Sequence, residues 1–178
     1  MRRWGWIVVV GAALALTSCA GIGTVSQDEV TAEAQRRGGG VTTDLVDAAV
    51  EAVADETGQD PLPVHSITAT LAQVTIVVPA GDGSPRRESW TYGTSGRYGG
   101  RGLGGPELVA APPTGIFPVA PGDLDVDAAG ATAREAGGPD SWVQTVTVTR
   151  PSEGAQPTLS VVVTDGSNSQ TIVVEAGR

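Results

Sequence analysis

The chain contains no lysine, one cysteine, one histidine and only 4% aromatic residues, and these shortages exclude several classes of function. A single cysteine cannot form an intrachain disulfide, so packing alone must stabilise the fold. A single histidine, His65, leaves no histidine cluster for zinc and no second imidazole for a proton relay. The 11 arginines are outnumbered by 20 acidic residues, which gives a net charge of -9. This balance disfavours nucleic acid as a partner, because binding to phosphates needs clustered positive charge.

The N-terminal segment has the order of a secretory signal. Met1-Arg2-Arg3 is followed by an apolar run of about a dozen residues and then by Leu16-Thr17-Ser18-Cys19. The apolar run is well short of the roughly 20 residues that a membrane-spanning helix needs. The sequence therefore predicts an exported protein. Three outcomes are open for this segment: lipidation at Cys19, plain secretion, or an uncleaved anchor.

Leu16-Thr17-Ser18-Cys19 resembles the lipobox of bacterial lipoproteins. The resemblance implies that the Cys19 thiol takes a diacylglyceryl group and that residues 1–18 are removed. The protein is then anchored by lipid at the extracytoplasmic face of the cell membrane. The mature chain would carry nine arginines against the same 20 acids, a net charge of -11. A composition rich in Ala, Gly, Val and Pro without Lys is typical of a GC-rich genome, such as that of an actinobacterium.

Residues 19–42 are predicted to be a lipidated tether with a short helix. Ser26-Gln27-Asp28-Glu29 has the spacing of a capping box, which favours a helix over residues 27–37. Gly38-Gly39-Gly40 would end this helix.

The clearest helix is predicted over residues 43–57. Acidic residues fall four apart on its polar face, at Asp47, Glu51 and Asp55, and Gly58 is a natural stop. The predicted apolar face consists of Leu45, Val46, Ala49, Val50 and Val53.

Alternating and β-branched residues predict six strands in two groups of three. The first group covers residues 64–71, 73–78 and 88–93. The second group covers residues 143–149, 160–163 and 170–175.

The second half of the chain echoes the first. Val126-Asp127-Ala128-Ala129 repeats Val46-Asp47-Ala48-Ala49, and each is followed by three predicted strands. We therefore predict an α+β fold of two repeated modules, residues 43–94 and 123–178, each with one helix packed on an antiparallel three-stranded sheet. Residues 95–122, which are rich in Gly and Pro, are predicted to be a linker.

In element order and size, residues 43–178 resemble the tandem PepSY-like and β-lactamase-inhibitor-like modules of secreted bacterial proteins and uncharacterised actinobacterial lipoproteins. The resemblance implies a binding or interaction role. It carries over no functional residue, so the ligand is left open.

Three constellations come near to known sites, and each has a structural alternative. His65 stands at a strand start, where a solvated or hydrogen-bonded role is the alternative to catalysis. Gly93-Thr94-Ser95-Gly96-Arg97 approaches the nucleophile elbow of hydrolases, but Arg replaces the last Gly. Asp123-Leu124-Asp125-Val126-Asp127 imitates the start of a calcium loop but lacks its later ligands, so helix capping is the alternative.

Positive charge also gathers where Arg97, Tyr98 and Arg101 stand among glycines. The segment is interpreted either as a flexible loop between modules or as a contact patch, since Arg and Tyr are favoured at interface hot spots. A phosphate-binding loop is disfavoured, because no Gly-Lys-Ser or Gly-Lys-Thr ending is present.

These patterns favour a lipid-anchored, non-enzymatic binding or protein-interaction module of the cell envelope. Its expected partners are the membrane, through the lipid on Cys19, and an envelope protein. A carrier of an apolar ligand, held between helix and sheet, is the second hypothesis. An enzyme is the third, because no grouping of acid, base and nucleophile stands out, and no cofactor or metal is expected.

Overall fold

The computed structural model describes residues 29, 32–33, 41–83, 86–94, 101–110, 115–138, 141–165 and 167–175. Cys19, Arg97 and Tyr98 lie outside the described residues. So does the helix predicted over residues 27–37, apart from three helical positions at 29, 32 and 33. No helix in the described part of the chain is both long enough and apolar enough to cross a membrane.

The described residues form two longer helices and nine strands. The helices are α1 (Thr43–Thr57) and α2 (Val126–Gly137). The strands are β1 (Leu62–Val64), β2 (Ser66–Thr70), β3 (Gln73–Pro79), β4 (Arg87–Thr94), β5 (Arg101–Val109), β6 (Phe117–Val119), β7 (Trp142–Thr149), β8 (Thr158–Thr164) and β9 (Ser169–Glu175).

Seven of the strands form one antiparallel sheet in the order β5-β4-β3-β2-β7-β8-β9, and β1 pairs with β6 in a separate ribbon. Both helices lie on the same face of the large sheet, α1 over β3 to β5 and α2 over β7 to β9. The apolar residues between helices and sheet form one core cluster. The opposite face of the sheet carries no helix among the described elements.

The prediction of two separate helix-plus-three-strand modules is wrong. The structure is mostly β, and its two halves share a single sheet because β2 pairs with β7 in the register Ile67↔Val148. Two three-stranded sheets would each leave one of these strands as an edge with unpaired backbone groups. Pairing β2 with β7 removes both edges and joins the two apolar layers into one core.

The segment predicted to be a linker, residues 95–122, contains β5 and β6. Gly102, Gly104 and Gly105 of this segment lie in a bulged edge strand rather than in an irregular loop. The register between β4 and β5 shifts between Ser89 and Thr91, and Gly105 lies opposite this shift with a φ of 125°. A Cβ on Gly105 would lie 2.8 Å from the Ser89 carbonyl oxygen, so a larger residue would not fit.

The helix predicted over residues 43–57 is confirmed with the same bounds. The Thr42 hydroxyl accepts a hydrogen bond from the Leu45 N–H at its start, and Gly58 ends it in the left-handed region with a φ of 67°. The five apolar residues predicted to face the core are all buried. The predicted strands are also present, with longer bounds, except that residues 64–71 are divided at His65 between β1 and β2.

The N-termini of the two helices are joined by reciprocal hydrogen bonds. The Thr43 N–H donates to Asp127 Oδ2 and the Asp127 N–H donates to Thr43 Oγ1, both at 3.1 Å. Each side chain thus satisfies a free N–H at the start of the other helix, and Asp127 also lies near the positive ends of both helix dipoles. A second link runs from the Gly122 N–H to Asp47 Oδ1 at 2.9 Å.

Replacing Asp127 by Ala should lower the free energy of unfolding by about 1–2 kcal/mol, the usual effect of losing a capping carboxylate. Urea denaturation of Asp127→Ala and Thr43→Ala measures the loss of each hydrogen bond separately, because each side chain bonds to the backbone N–H of the other residue. Asp55→Ala, in the last turn of α1, is the control and should have little effect. An effect of Asp127→Ala no larger than that of Asp55→Ala would contradict the reciprocal pair.

Candidate functional site

The described part of the predicted contact patch lies at an edge of the sheet. Arg101 is the first residue of the edge strand β5, opposite Thr94 at the end of β4, and its side chain is exposed. Residues 95–100, which include Arg97 and Tyr98, connect these two neighbouring strands in sequence but lie outside the described residues. The structure therefore places Arg101 at the start of an edge strand of one continuous sheet, not between two modules.

Arg101 differs from other arginines of the described chain in its surroundings. Arg86 forms an ion pair with Asp82, four residues earlier. Arg150 donates from Nε to the Ala155 carbonyl at 2.7 Å and from its guanidinium to the Ile116 carbonyl at 2.8 Å, so it joins three chain segments. The Arg101 side chain has no hydrogen bond or ion pair with any other residue that the structure describes. Its guanidinium is thus available to an external carboxylate or phosphate.

The acidic residues gather on the helix side of the molecule. Along α1 the exposed acids are Asp44, Glu51, Asp55 and Glu56. Asp123, Asp125 and Asp127 are exposed at the start of α2. The open face of the sheet is instead lined largely with hydroxyl groups. One row crosses five strands in register and consists of Thr91, Thr75, Thr68, Thr147 and Ser160.

Alternation of Thr with Val along the strands is the sequence signal for this hydroxyl-lined face. The face was not predicted from the sequence. A polar, half-exposed face is ordinary for an antiparallel sheet that is covered on one side only. The open face is thus largely uncharged, whereas the helix side of the molecule is acidic.

The capping interpretation is confirmed for Asp125 and Asp127, whereas Asp123 closes the preceding turn. Asp125 is the N-cap of α2, and its Oδ1 accepts from the Ala128 N–H at 2.8 Å. Asp123 Oδ2 accepts from the Ala120 N–H at 2.8 Å, and Asp127 bonds to α1 as described above. The three carboxylates thus serve three different backbone groups rather than one cation. In the described ranges no group of His, Cys, Asp and Glu side chains is placed to hold a metal ion.

His65 lies in the interior, with 2% of its surface exposed, and a solvated position is therefore wrong. It occupies the junction between β1 and β2, and its backbone N–H donates to the Val77 carbonyl at 2.7 Å.

The hydrolase-like segment begins at Gly93 in β4, and the next described element is the strand β5, whereas a nucleophile elbow leads into a helix. Ser95 and Gly96 lie outside the described residues.

The second edge strand, β9, was predicted as a strand but not as an edge. All seven of its residues pair with β8, and Val173 is 64% exposed. The turn before it is held by Asp165, whose Oδ1 accepts from the N–H groups of Ser167 and Asn168 at 2.7 Å each. These hydrogen bonds, led by the one from Asn168, lower the pKa of Asp165 below its usual range. The strand start is thus fixed by a charged turn.

Comparisons with protein-family models, with curated proteins and with solved structures gave no significant match. The resemblances to lipoproteins and to PepSY-like or β-lactamase-inhibitor-like modules stay predictions.

Proposed function

We propose that this protein is a lipid-anchored, extracytoplasmic binding module without enzymatic activity. Cys19 carries the lipid and holds the folded domain at the outer face of the cell membrane. The support for this anchor is the lipobox-like order of Leu16-Thr17-Ser18-Cys19 after a short apolar run.

The observation that carries the binding role is the exposed Arg101 at the start of edge strand β5. In sequence it stands close to Arg97 and Tyr98, so the β4–β5 connection is a local concentration of positive charge on an acidic protein. Arg and Tyr together combine a bidentate donor for carboxylates with a large amphipathic contact surface. We propose that this connection binds an acidic envelope protein.

The use of the other reactive side chains also favours binding over catalysis. His65 is buried at the junction between β1 and β2, and Asp125 and Asp127 accept hydrogen bonds from helix N-termini. In these positions they stabilise the fold instead of facing a shared cleft.

Changing Arg97, Tyr98 and Arg101 together to Ser should weaken capture of an acidic partner from envelope extract by at least about tenfold, or ~1.4 kcal/mol. The melting temperature should change little, because an exposed residue at a strand end, such as Arg101, contributes little stability. Quantitative pull-down at two salt concentrations measures the effect, and binding by the native chain should fall as salt rises.

Arg86→Ser is the matched control, since it removes an exposed arginine from the β3–β4 connection at the other end of the sheet. It should leave capture unchanged. An equal loss in both variants would indicate general charge attraction, and unchanged capture by the triple variant would refute the proposed contact.

A further inference from the structure

Among the described elements, the outer edge of β9 is an unprotected strand edge. β9 pairs with β8 without any register shift, from Thr164↔Ser169 to Thr158↔Glu175. No strand among the described elements pairs with its other side. The strand contains no Pro, no Gly and no basic residue. Free backbone N–H and C=O groups along such an edge are a template for another strand.

The opposite edge of the sheet is protected. In β5, Pro106 lacks a backbone N–H, Gly105 has a positive φ, and the register against β4 shifts between Ser89 and Thr91. A bulge, a proline and a charged residue at Arg101 are the usual features that block strand addition. Regular strand pairing is therefore open at β9 and closed at β5.

We propose that β9 pairs antiparallel with β9 of a second copy of this chain, around a two-fold axis at Ile172. The two sheets then become one continuous sheet with all helices on the same side. In this register Ile172 faces Ile172 of the partner subunit, and Thr171 faces Val173 of the partner subunit. Ser169 faces Glu175 of the partner subunit.

The side chains of β9 are compatible with pairing to β9 of a second copy of the chain. Ile172 and Val174 lie on the helix side and pack against the core, but they are only half-buried because the sheet ends there. A second copy extends the apolar layer across this edge and also covers Val173. In the proposed register no like charges face each other, since Glu175 is the only charged residue of β9.

The exposed acids of α1 lie over β3 to β5, at the far side of the sheet from β9. Two copies that meet at β9 therefore keep these acids apart. A two-fold contact is closed, and the remaining outer edges of the dimer are both β5, so the assembly stops at two copies.

Cross-linking of the full chain tests the contact. In the proposed register the residues at position 172 are directly opposite, with Cβ atoms about 4.5–5.5 Å apart, close to the distance that a disulfide spans. Ile172→Cys should give a covalent dimer on mild oxidation, in whichever cell fraction the protein occupies. The native chain, whose only thiol is Cys19, and Thr147→Cys on the interior strand β7 should not.

Charge changes on the open side of β9 test the register. Combined with Ile172→Cys, Thr171→Lys with Val173→Lys places two Lys–Lys pairs face to face and should reduce the dimer about tenfold or more. Thr171→Lys with Val173→Glu instead places each Lys opposite a Glu and should retain the dimer. The double-Lys variant carries less net negative charge than the native chain, so the overall repulsion between two copies is weaker. A loss of dimer in this variant therefore cannot come from net charge.

Circular dichroism should show the same melting temperature for both charge variants, since residues 171 and 173 are exposed. Absence of a cross-linked dimer, equal dimer in the two charge variants, or cross-linking to a different protein would each overturn the proposal. These results are independent of the lipid anchor and of the Arg101 contact, because neither contributes to the dimer band.

Discussion

Replacing Phe117 by Ala is expected to lower the free energy of unfolding by about 3–5 kcal/mol. Phe117 is the largest fully buried side chain, with 1% of its surface exposed, and it lies opposite Val64 where β6 pairs with β1. The ring belongs to the single core cluster, so its removal leaves a cavity that the surrounding strands cannot fill. Guanidinium denaturation followed by tryptophan fluorescence measures the loss.

The neighbouring residue supplies the control. Ile116 is 45% exposed, and Ile116→Ala should change the free energy of unfolding by less than about 0.5 kcal/mol. A flexible linker over residues 95–122 would make both substitutions harmless. Similar small effects of the two changes would therefore contradict the position of β6 in the core.

Replacing Ile67 by Ala should lower the free energy of unfolding by about 2–5 kcal/mol and shift one cooperative transition of the whole domain. Ile67 is fully buried on β2 and pairs with Ile76 of β3 on one side and with Val148 of β7 on the other. The residue thus lies at the seam between the two halves of the chain. For a domain of this size the melting temperature should fall by about 5–15 °C.

Differential scanning calorimetry distinguishes a shared sheet from two modules. We expect one transition in the native chain and one transition, at lower temperature, in Ile67→Ala. Thr68→Ala, on the open face of the same strand, should shift the transition by only a few degrees. Two transitions, of which Ile67→Ala shifts only one, would contradict the continuous sheet.

Local sequence signals predicted the elements whose stability is local. The period of apolar residues and the Gly58 stop located α1, and alternation located β3, β7 and β8 within two residues of their bounds. Strand order is different, because the pairing of β2 with β7 joins Ile67 to Val148 across a long stretch of sequence. Alternation fixes which face of a strand is buried but not which strand lies beside it.

The edge strand β5 was missed for a local reason. A run such as Gly104-Gly105-Pro106 is depleted in β-propensity and typical of loops, and here it forms a bulged edge. The candidate site shows the same limit. The sequence identified Arg101 as a local concentration of positive charge, but its place on an edge strand follows from the strand order. The open edge of β9 also depends on that order, since Ser169–Glu175 would look the same in the middle of a sheet.

We propose different roles for the two edges of the sheet. Side chains at the β4–β5 connection would bind an acidic partner, and backbone pairing at β9 would join two copies. A dimer would present two Arg101 edges at its opposite ends, and two lipid anchors would hold both at the membrane. Binding of two partner sites would then strengthen attachment well beyond that of one site.

The intact mass of the mature protein from the membrane fraction tests the lipid-anchored function most directly. The account predicts a chain that begins at Cys19 and carries the added mass of a diacylglyceryl group. Cys19→Ala should lack that mass and leave the membrane fraction or retain residues 1–18. A native chain that retains residues 1–18, or that begins elsewhere with an unmodified Cys19 thiol, would contradict the account.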